Sequence, residues 1–64
     1  MGQTNIRRLL EDLRGNGFNV SLILDGVVIE GQKVVSLEND LVFTVNSAGL
    51  VRATRIDRIE SVNF

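Results

Sequence analysis

The segment from Leu22 to Gly31, which reads LILDGVVIEG, constrains the fold of this chain more than any other. Two apolar runs joined by Asp25-Gly26 are the strongest short-range indication of a β-hairpin. Gly31 interrupts the second run, and a glycine at such a place is typical of a bulge or a sharp bend. A strand bent in its middle lets a small sheet curl into a barrel. The segment therefore predicts a hairpin whose second strand bends at Gly31.

The size of the chain indicates a single domain, residues 1-64, with a marginal hydrophobic core. A chain of this length buries only ~60% of the surface that its unfolded form exposes. Cysteine is absent, which excludes disulfides and thiolate metal sites, and histidine, the commonest general base, is absent too. Oligomerisation is the remaining way to stabilise so small a core. A hydrophobic content of 44% agrees with apolar surface being covered by partner subunits.

The N-terminal segment predicts a helix over about residues 5-14. Four apolar residues at i, i+3, i+4 and i+7 form one stripe, namely Ile6, Leu9, Leu10 and Leu13. Thr4 or Asn5 can cap the start, and Gly15-Asn16-Gly17 can end the helix because these residues accept the left-handed conformation. A helix this short is not stable alone, so its stripe has to dock on the sheet or on a neighbour.

The rest of the chain, about residues 18-64, predicts strands separated by polar turns. Five apolar runs follow one another: Phe18 to Leu24, Val27 to Leu37, Leu41 to Val45, Leu50 to Ile56 and Ile59 to Phe64. One helix followed by five short antiparallel strands is typical of a small barrel. The predicted fold is mainly β, a strongly bent five-stranded antiparallel barrel with one N-terminal α-helix, and Phe43 is expected in its core.

The order of these features resembles the Sm-like family, which includes the LSm proteins and the bacterial RNA chaperone Hfq. The first motif of that family has an Asn- or Asp-Gly turn, a second glycine five residues later, an aliphatic run and an acidic turn. Here Asp25-Gly26 and Gly31 are followed by VVSLENDLVF, with Glu38 and Asp40 in the turn. The second motif corresponds to RIDRIESV. The resemblance covers about the whole chain.

The resemblance implies a homo-oligomeric ring of six or seven subunits that binds single-stranded RNA without catalysing a reaction. In such a ring the fourth strand of one subunit pairs with the fifth strand of the next. A closed ring leaves no unpaired strand edge and enlarges the buried surface of each subunit. The ring that the resemblance implies would thus stabilise a subunit whose own core is small.

Three departures from the family pattern bear on RNA binding. The second run is one residue longer than the family spacing. The basic Lys-His pair of the bacterial proteins is replaced by Ile56-Asp57, and the turn Glu38-Asn39-Asp40 lacks the aromatic residue that stacks on RNA. Recognition of single-stranded RNA uses aromatic stacking and basic grooves, whereas this chain has a net charge of −1. The departures favour a barrel that has lost or rebuilt the RNA pore.

The C-terminal half supplies three candidate RNA-binding arginines, Arg52, Arg55 and Arg58. Repeated once per subunit, they could form a basic ring that holds phosphates. Strand alternation places Arg52 on the opposite face from Arg55, which divides the group. The alternative is that these side chains are solvated or paired with Glu38, Asp57 or Glu60, as surface charges usually are.

Two further pairs of residues are candidates for RNA contact. Arg7 and Arg8 could present their charges to RNA from the helix, or they could simply face solvent. Asn39 and Asp40 could line a pore and bind a base edge, as the resemblance implies, or they could serve only the turn. Both alternatives stay open.

Two functions are consistent with the sequence. The first is a non-enzymatic RNA-binding ring that presents single-stranded RNA through repeated weak sites. The second is a structural or protein-interaction module that keeps the Sm-like barrel without RNA binding. No cofactor, metal or catalytic residue is expected, because no nucleophile–base pair or phosphate loop accompanies the carboxylates. No apolar run approaches the ~18 residues of a membrane span, and the lack of cysteine fits a cytoplasmic location.

Overall fold

A computed structural model describes residues 2–64 of the chain, with side chains from residue 5 onward. It contains one α-helix, five β-strands and a short 3-10 turn, in the order α1 (Gly2–Leu13), β1 (Val20–Leu24), β2 (Val27–Glu38), β3 (Leu41–Val45), β4 (Val51–Arg55), 3-10 turn (Ile56–Arg58) and β5 (Ile59–Asn63). The predicted class, mainly β with one N-terminal helix, is confirmed.

Several element boundaries differ from those expected. Helix α1 begins at Gly2, three residues before the expected start, so neither Thr4 nor Asn5 is its N-cap. The first, fourth and fifth strands are each shorter than their apolar runs, because residues at the ends of these runs lie beyond the paired segments. Apolar residues thus extend past the strands into loops, as Leu50 does before β4.

The five strands form one antiparallel sheet in the order β4-β3-β2-β1-β5. Within the described residues β4 and β5 do not pair with each other, so the sheet is open and the single chain does not close the expected barrel. Only the three residues of the 3-10 turn connect these two edges. They span roughly 6 Å, whereas a flat five-stranded sheet is ~19 Å wide. The sheet is therefore strongly curled.

Strand β2 changes its partner halfway along its length. Its first part pairs with β1 up to Gln32, and its second part pairs with β3 from Lys33 onward. Gly31 stands just before this change and has a φ of +70°, which L-residues with a side chain rarely adopt. The glycine therefore sits at the junction between the two halves of the sheet.

The turn between β1 and β2 has the geometry that its sequence favours. Asp25 and Gly26 connect the paired residues Leu24 and Val27, with φ values of +50° and +79°. Positive φ at both central residues is the signature of a type I′ turn, whose twist matches the right-handed twist of the strands.

The core lies between α1 and the inner face of the curled sheet, where α1 packs on β2, β5 and the 3-10 turn. Its buried apolar residues are Leu10, Leu13, Val20, Leu22, Val34, Val42, Ile56 and Ile59. Phe43 is not among them, which corrects the expectation that it is a core residue. Phe43 is half-buried and alternates along β3 with the buried Val42 and Thr44, so it lies on the opposite face.

A buried polar pair links β2 to β3 at the point where β2 changes partner. The Thr44 hydroxyl donates a hydrogen bond of 2.7 Å to Gln32 Oε1. The Gln32 amide Nε2 donates in turn to the carbonyl oxygen of Glu30 at 3.2 Å. Both side chains are buried, so the pair satisfies groups whose burial would otherwise be costly.

Candidate functional site

The turn between β2 and β3 and the 3-10 turn between β4 and β5 lie side by side. The backbone N–H of Ile56 donates to the carbonyl oxygen of Asp40 at 2.8 Å. Asn39 has a φ of +54°, a conformation that asparagine adopts more readily than most residues. Two loops that are far apart in the sequence thereby form one surface.

Arg55 lies at the centre of this surface and contacts two carboxylates. Its Nε and Nη2 atoms donate to the two oxygens of Asp57 at 3.2 and 2.9 Å, which is a bidentate pair. Its Nη2 also lies 3.8 Å from a carboxylate oxygen of Asp40. All three side chains are more than a third exposed, so these pairs orient Arg55 more than they stabilise the fold.

Helix α1 brings a second guanidinium to the same surface. Arg7 Nη1 donates to the carbonyl oxygen of Asn39, and Arg7 Nε lies 3.6 Å from Glu11, one turn further along the helix. We define the turn cluster as Arg7, Glu11, Asn39, Asp40, Arg55 and Asp57. Its two guanidiniums face three carboxylates, so the cluster carries no excess of positive charge for a phosphate.

The other candidate residues lie outside the turn cluster. Arg58 Nη1 is 3.5 Å from the Asp25 carboxylate at the turn between β1 and β2, where Gly26 N–H also donates to Glu60 at 3.2 Å. Arg8 and Arg52 are exposed, and neither has an ion-pair partner among residues 5–64. Of the seven candidate RNA-binding residues, the structure brings together Arg7, Asn39, Asp40 and Arg55.

The chemistry of the turn cluster is that of ion pairing and hydrogen bonding. In the part of the chain that the structure describes, no group of three or more Asp, Glu, His or Cys residues is arranged to hold a metal ion. The only helix described is too short and too polar to cross a membrane. The cluster can bind polar groups and position two loops.

The sequence analysis did not predict the partly apolar surface on the side of the sheet that faces away from the core. We call it the outer face: three rows of cross-strand neighbours on β2, β3 and β4, which are Glu38-Leu41-Arg55, Ser36-Phe43-Ala53 and Lys33-Val45-Val51. The alternation of Leu41, Phe43 and Val45 was visible in the sequence. Of these three residues only Phe43 has a predicted position, in the core, and that prediction is wrong.

Comparisons with family models, with curated proteins and with solved structures give no match to this chain. The strand order and the helix define the structural class as an open antiparallel sheet with an N-terminal helix.

Proposed function

We propose that this chain is a non-enzymatic, Sm-like assembly module that forms a ring of identical subunits. The observation that carries the proposal is the pair of unpaired edge strands, Val51–Arg55 and Ile59–Asn63, at opposite ends of one open sheet. An unpaired edge exposes a row of N–H and C=O groups that can pair with another strand. The resemblance to the Sm-like family implies the same pairing, β4 of one subunit with β5 of the next.

The geometry of the subunit supports a closed assembly. The two edges have equal lengths of five residues, so each can be fully paired by the other. Pairing of different surfaces on identical subunits forms a ring when the rotation closes. The strong curl of the sheet turns the two edges away from a flat arrangement and so favours closure over a straight filament. The expected mass is several times 7.1 kDa.

Two neighbouring proline substitutions in β4 test this pairing. Backbone N–H groups alternate along an edge strand between the neighbouring strand and the outside, so Arg52→Pro and Ala53→Pro remove one of each kind. The variant that loses an N–H pointing toward β3 is expected to lose stability, because a hydrogen bond within the subunit is removed. The other is expected to keep its circular dichroism spectrum and to sediment as a much smaller species than the parent. A parent that is monomeric at high micromolar concentration would overturn the proposal.

The substitution Val62→Asp in β5 is a poor test of the assembly. Val62 is paired with Leu22 and packs against the buried core. A carboxylate there would destabilise the subunit itself, because it would be placed among apolar side chains without a partner.

Binding of single-stranded RNA is the second candidate function, and Arg52 is the observation that favours it. Arg52 is exposed on β4 and has no carboxylate within ion-pair distance among residues 5–64, so its charge is available to a phosphate and would be repeated in each subunit. Arg55 and Arg7 are already engaged by carboxylates, which would also repel RNA. These ion pairs favour assembly over RNA binding as the main function.

A titration with short A-rich and U-rich RNA at several salt concentrations separates the two functions. Each phosphate contact contributes roughly 0.7 to the salt slope for a single strand. We expect Arg52→Ala to flatten the slope, whereas Arg58→Ala, which removes an arginine already paired with Asp25, serves as the matched control. Absence of binding at low salt would exclude RNA and leave the assembly function.

A further inference from the structure

The outer face carries five apolar residues among its nine, on the side of the sheet where an antiparallel sheet usually contacts water. Its β3 residues Leu41, Phe43 and Val45 are half-buried, while the hydroxyl of Thr44 is buried on the inner side. Val51, the β4 neighbour of Val45, is 68% exposed. Val51 and Ala53 are both exposed, so the β4 side of this face offers apolar surface to a partner.

The charges at the rim of the outer face identify its partner. Glu38 and Lys33 lie at opposite ends of the β2 side of this face, five residues apart, and both are exposed. Neither has an ion-pair partner among residues 5–64, whereas Arg55, the third charged residue of this face, is already engaged by Asp57 and Asp40. A partner that complements this rim carries a positive charge opposite Glu38 and a negative charge opposite Lys33.

A second copy of the chain meets this requirement by symmetry. A two-fold axis that runs across the strands along the row of Phe43 turns one copy over onto the other. It places β2 against β2, and therefore Glu38 of one copy opposite Lys33 of its partner, twice. The same operation stacks the two Phe43 side chains at the centre, and it keeps the strands of the two sheets aligned as in a sandwich. We propose that two copies of this chain pack through their outer faces.

The area of the outer face sets the strength of this contact. Three strands of five residues cover roughly 240 Å², well below the ~800 Å² per partner of a stable interface. Two isolated subunits would therefore associate weakly. Subunits that are already joined in a ring would repeat the contact around the ring and gain by avidity. The contact uses side chains of the outer face and not the backbone edges of β4 and β5, so it does not compete with the ring, but its gain by avidity rests on the proposed ring.

A cysteine at Ala53 tests the symmetry of the contact. The chain contains no native cysteine, and Ala53 lies in the row on the two-fold axis, opposite Ala53 of the second copy. Stacked sheets are ~10 Å apart, beyond the reach of a disulfide, so a short bis-maleimide reagent is the suitable probe. We expect Ala53→Cys to give covalent dimers. Ser47→Cys, exposed in the loop between β3 and β4, is the control and should give few. Equal yields would overturn the proposal.

A charge exchange at the rim provides the second test, in the Ala53→Cys background. Glu38→Lys and Lys33→Glu each place like charges opposite one another in the dimer, and each is expected to lower the yield of covalent dimer several-fold. The double exchange restores both pairs and should restore the yield. A double variant as weak as the single ones would contradict the proposed symmetry. Pairing of β4 with β5 does not bring two Ala53 residues together, so failure here and failure of the ring are distinguishable.

Discussion

Strands β5 and β3 distribute their apolar residues between the two faces of the sheet in opposite ways, and a register shift next to Ile59 interrupts the alternation of β5. On β5 the apolar Ile59 and Val62 face the core, and the polar Ser61 and Asn63 face outward. On β3 the inner side carries Val42 but also the buried Thr44, and the outer side carries three apolar residues. Helix α1 packs on β5 and provides it with an apolar partner. The helix thus completes the core on the β5 side of the sheet, whereas the outer side of β3 keeps three apolar residues that are only half-buried.

The largest loss of stability is expected in the part of the sheet formed by β1 and β5, where α1 packs on β5. Leu22 on β1 is fully buried and is paired with Ile29 on one side and Val62 on the other. Leu22→Ala should lower the free energy of unfolding by about 2–5 kcal/mol, because it removes apolar contacts and leaves a cavity. Urea denaturation measures this change. Leu41→Ala on the outer face is the matched control. An equal loss of stability there would contradict the difference between the inner and the outer face of the sheet.

Substitution of Gly31, which stands where β2 changes its partner from β1 to β3, is expected to cause the next largest loss of stability. Its φ of +70° strains any residue with a side chain, and a β-branched residue most, although the space around it is open. Gly31→Val should cost roughly 1–3 kcal/mol in thermal or urea unfolding. Gly31→Asn should cost less, since asparagine tolerates this conformation. Two variants that unfold like the parent would show that the strand does not need the positive φ.

The buried hydrogen bond between Thr44 and Gln32, which joins β3 to β2, is also expected to stabilise the fold. Thr44→Val removes the donor to Gln32 and leaves the buried amide oxygen without that partner, which should cost roughly 1–3 kcal/mol. Adding Gln32→Leu should recover part of the loss, because both polar groups are then gone. Urea unfolding of the two single variants and the double variant measures their coupling. Additive losses would mean that the hydrogen bond contributes little.

The turn cluster is expected to have the smallest effect on stability. Arg55 pairs with Asp57 and Asp40 at the surface, where side chains stay 39% to 60% exposed. Arg55→Ala should therefore change the free energy of unfolding by no more than about 1 kcal/mol, and less at high salt. Melting curves at two salt concentrations measure both quantities. A larger loss that is independent of salt would point to a packing role for the arginine stem.

The features that the sequence predicted are those that local chemistry determines. Asp25-Gly26 specifies its turn, because few other dipeptides accept two positive φ values. The stripe of α1 is predicted equally well, since Leu10 and Leu13 recur at helical spacing and are buried. Each of these inferences needs only residues that are close together in the chain.

The features that were missed depend on the topology of the sheet. Arg7 contacts Asn39 across 32 positions of sequence, and no local pattern indicates that contact. The inward face of β3 could not be chosen either, because LVFTV carries apolar residues on both faces. Thr44 is buried on the inner face with its hydroxyl bonded to Gln32, and this contact depends on the register between β2 and β3.

The strand order has a consequence for the rate of folding. Three of the four strand pairs join neighbours in the chain, whereas β5 must return to β1 from about forty residues away. Closing so long a loop costs entropy before its contacts repay it, so the meander β1 to β4 should form first and β5 should dock late. With no proline, slow isomerisation should not obscure the kinetics. In stopped-flow experiments Val62→Ala should mainly accelerate unfolding, whereas Val42→Ala should slow folding.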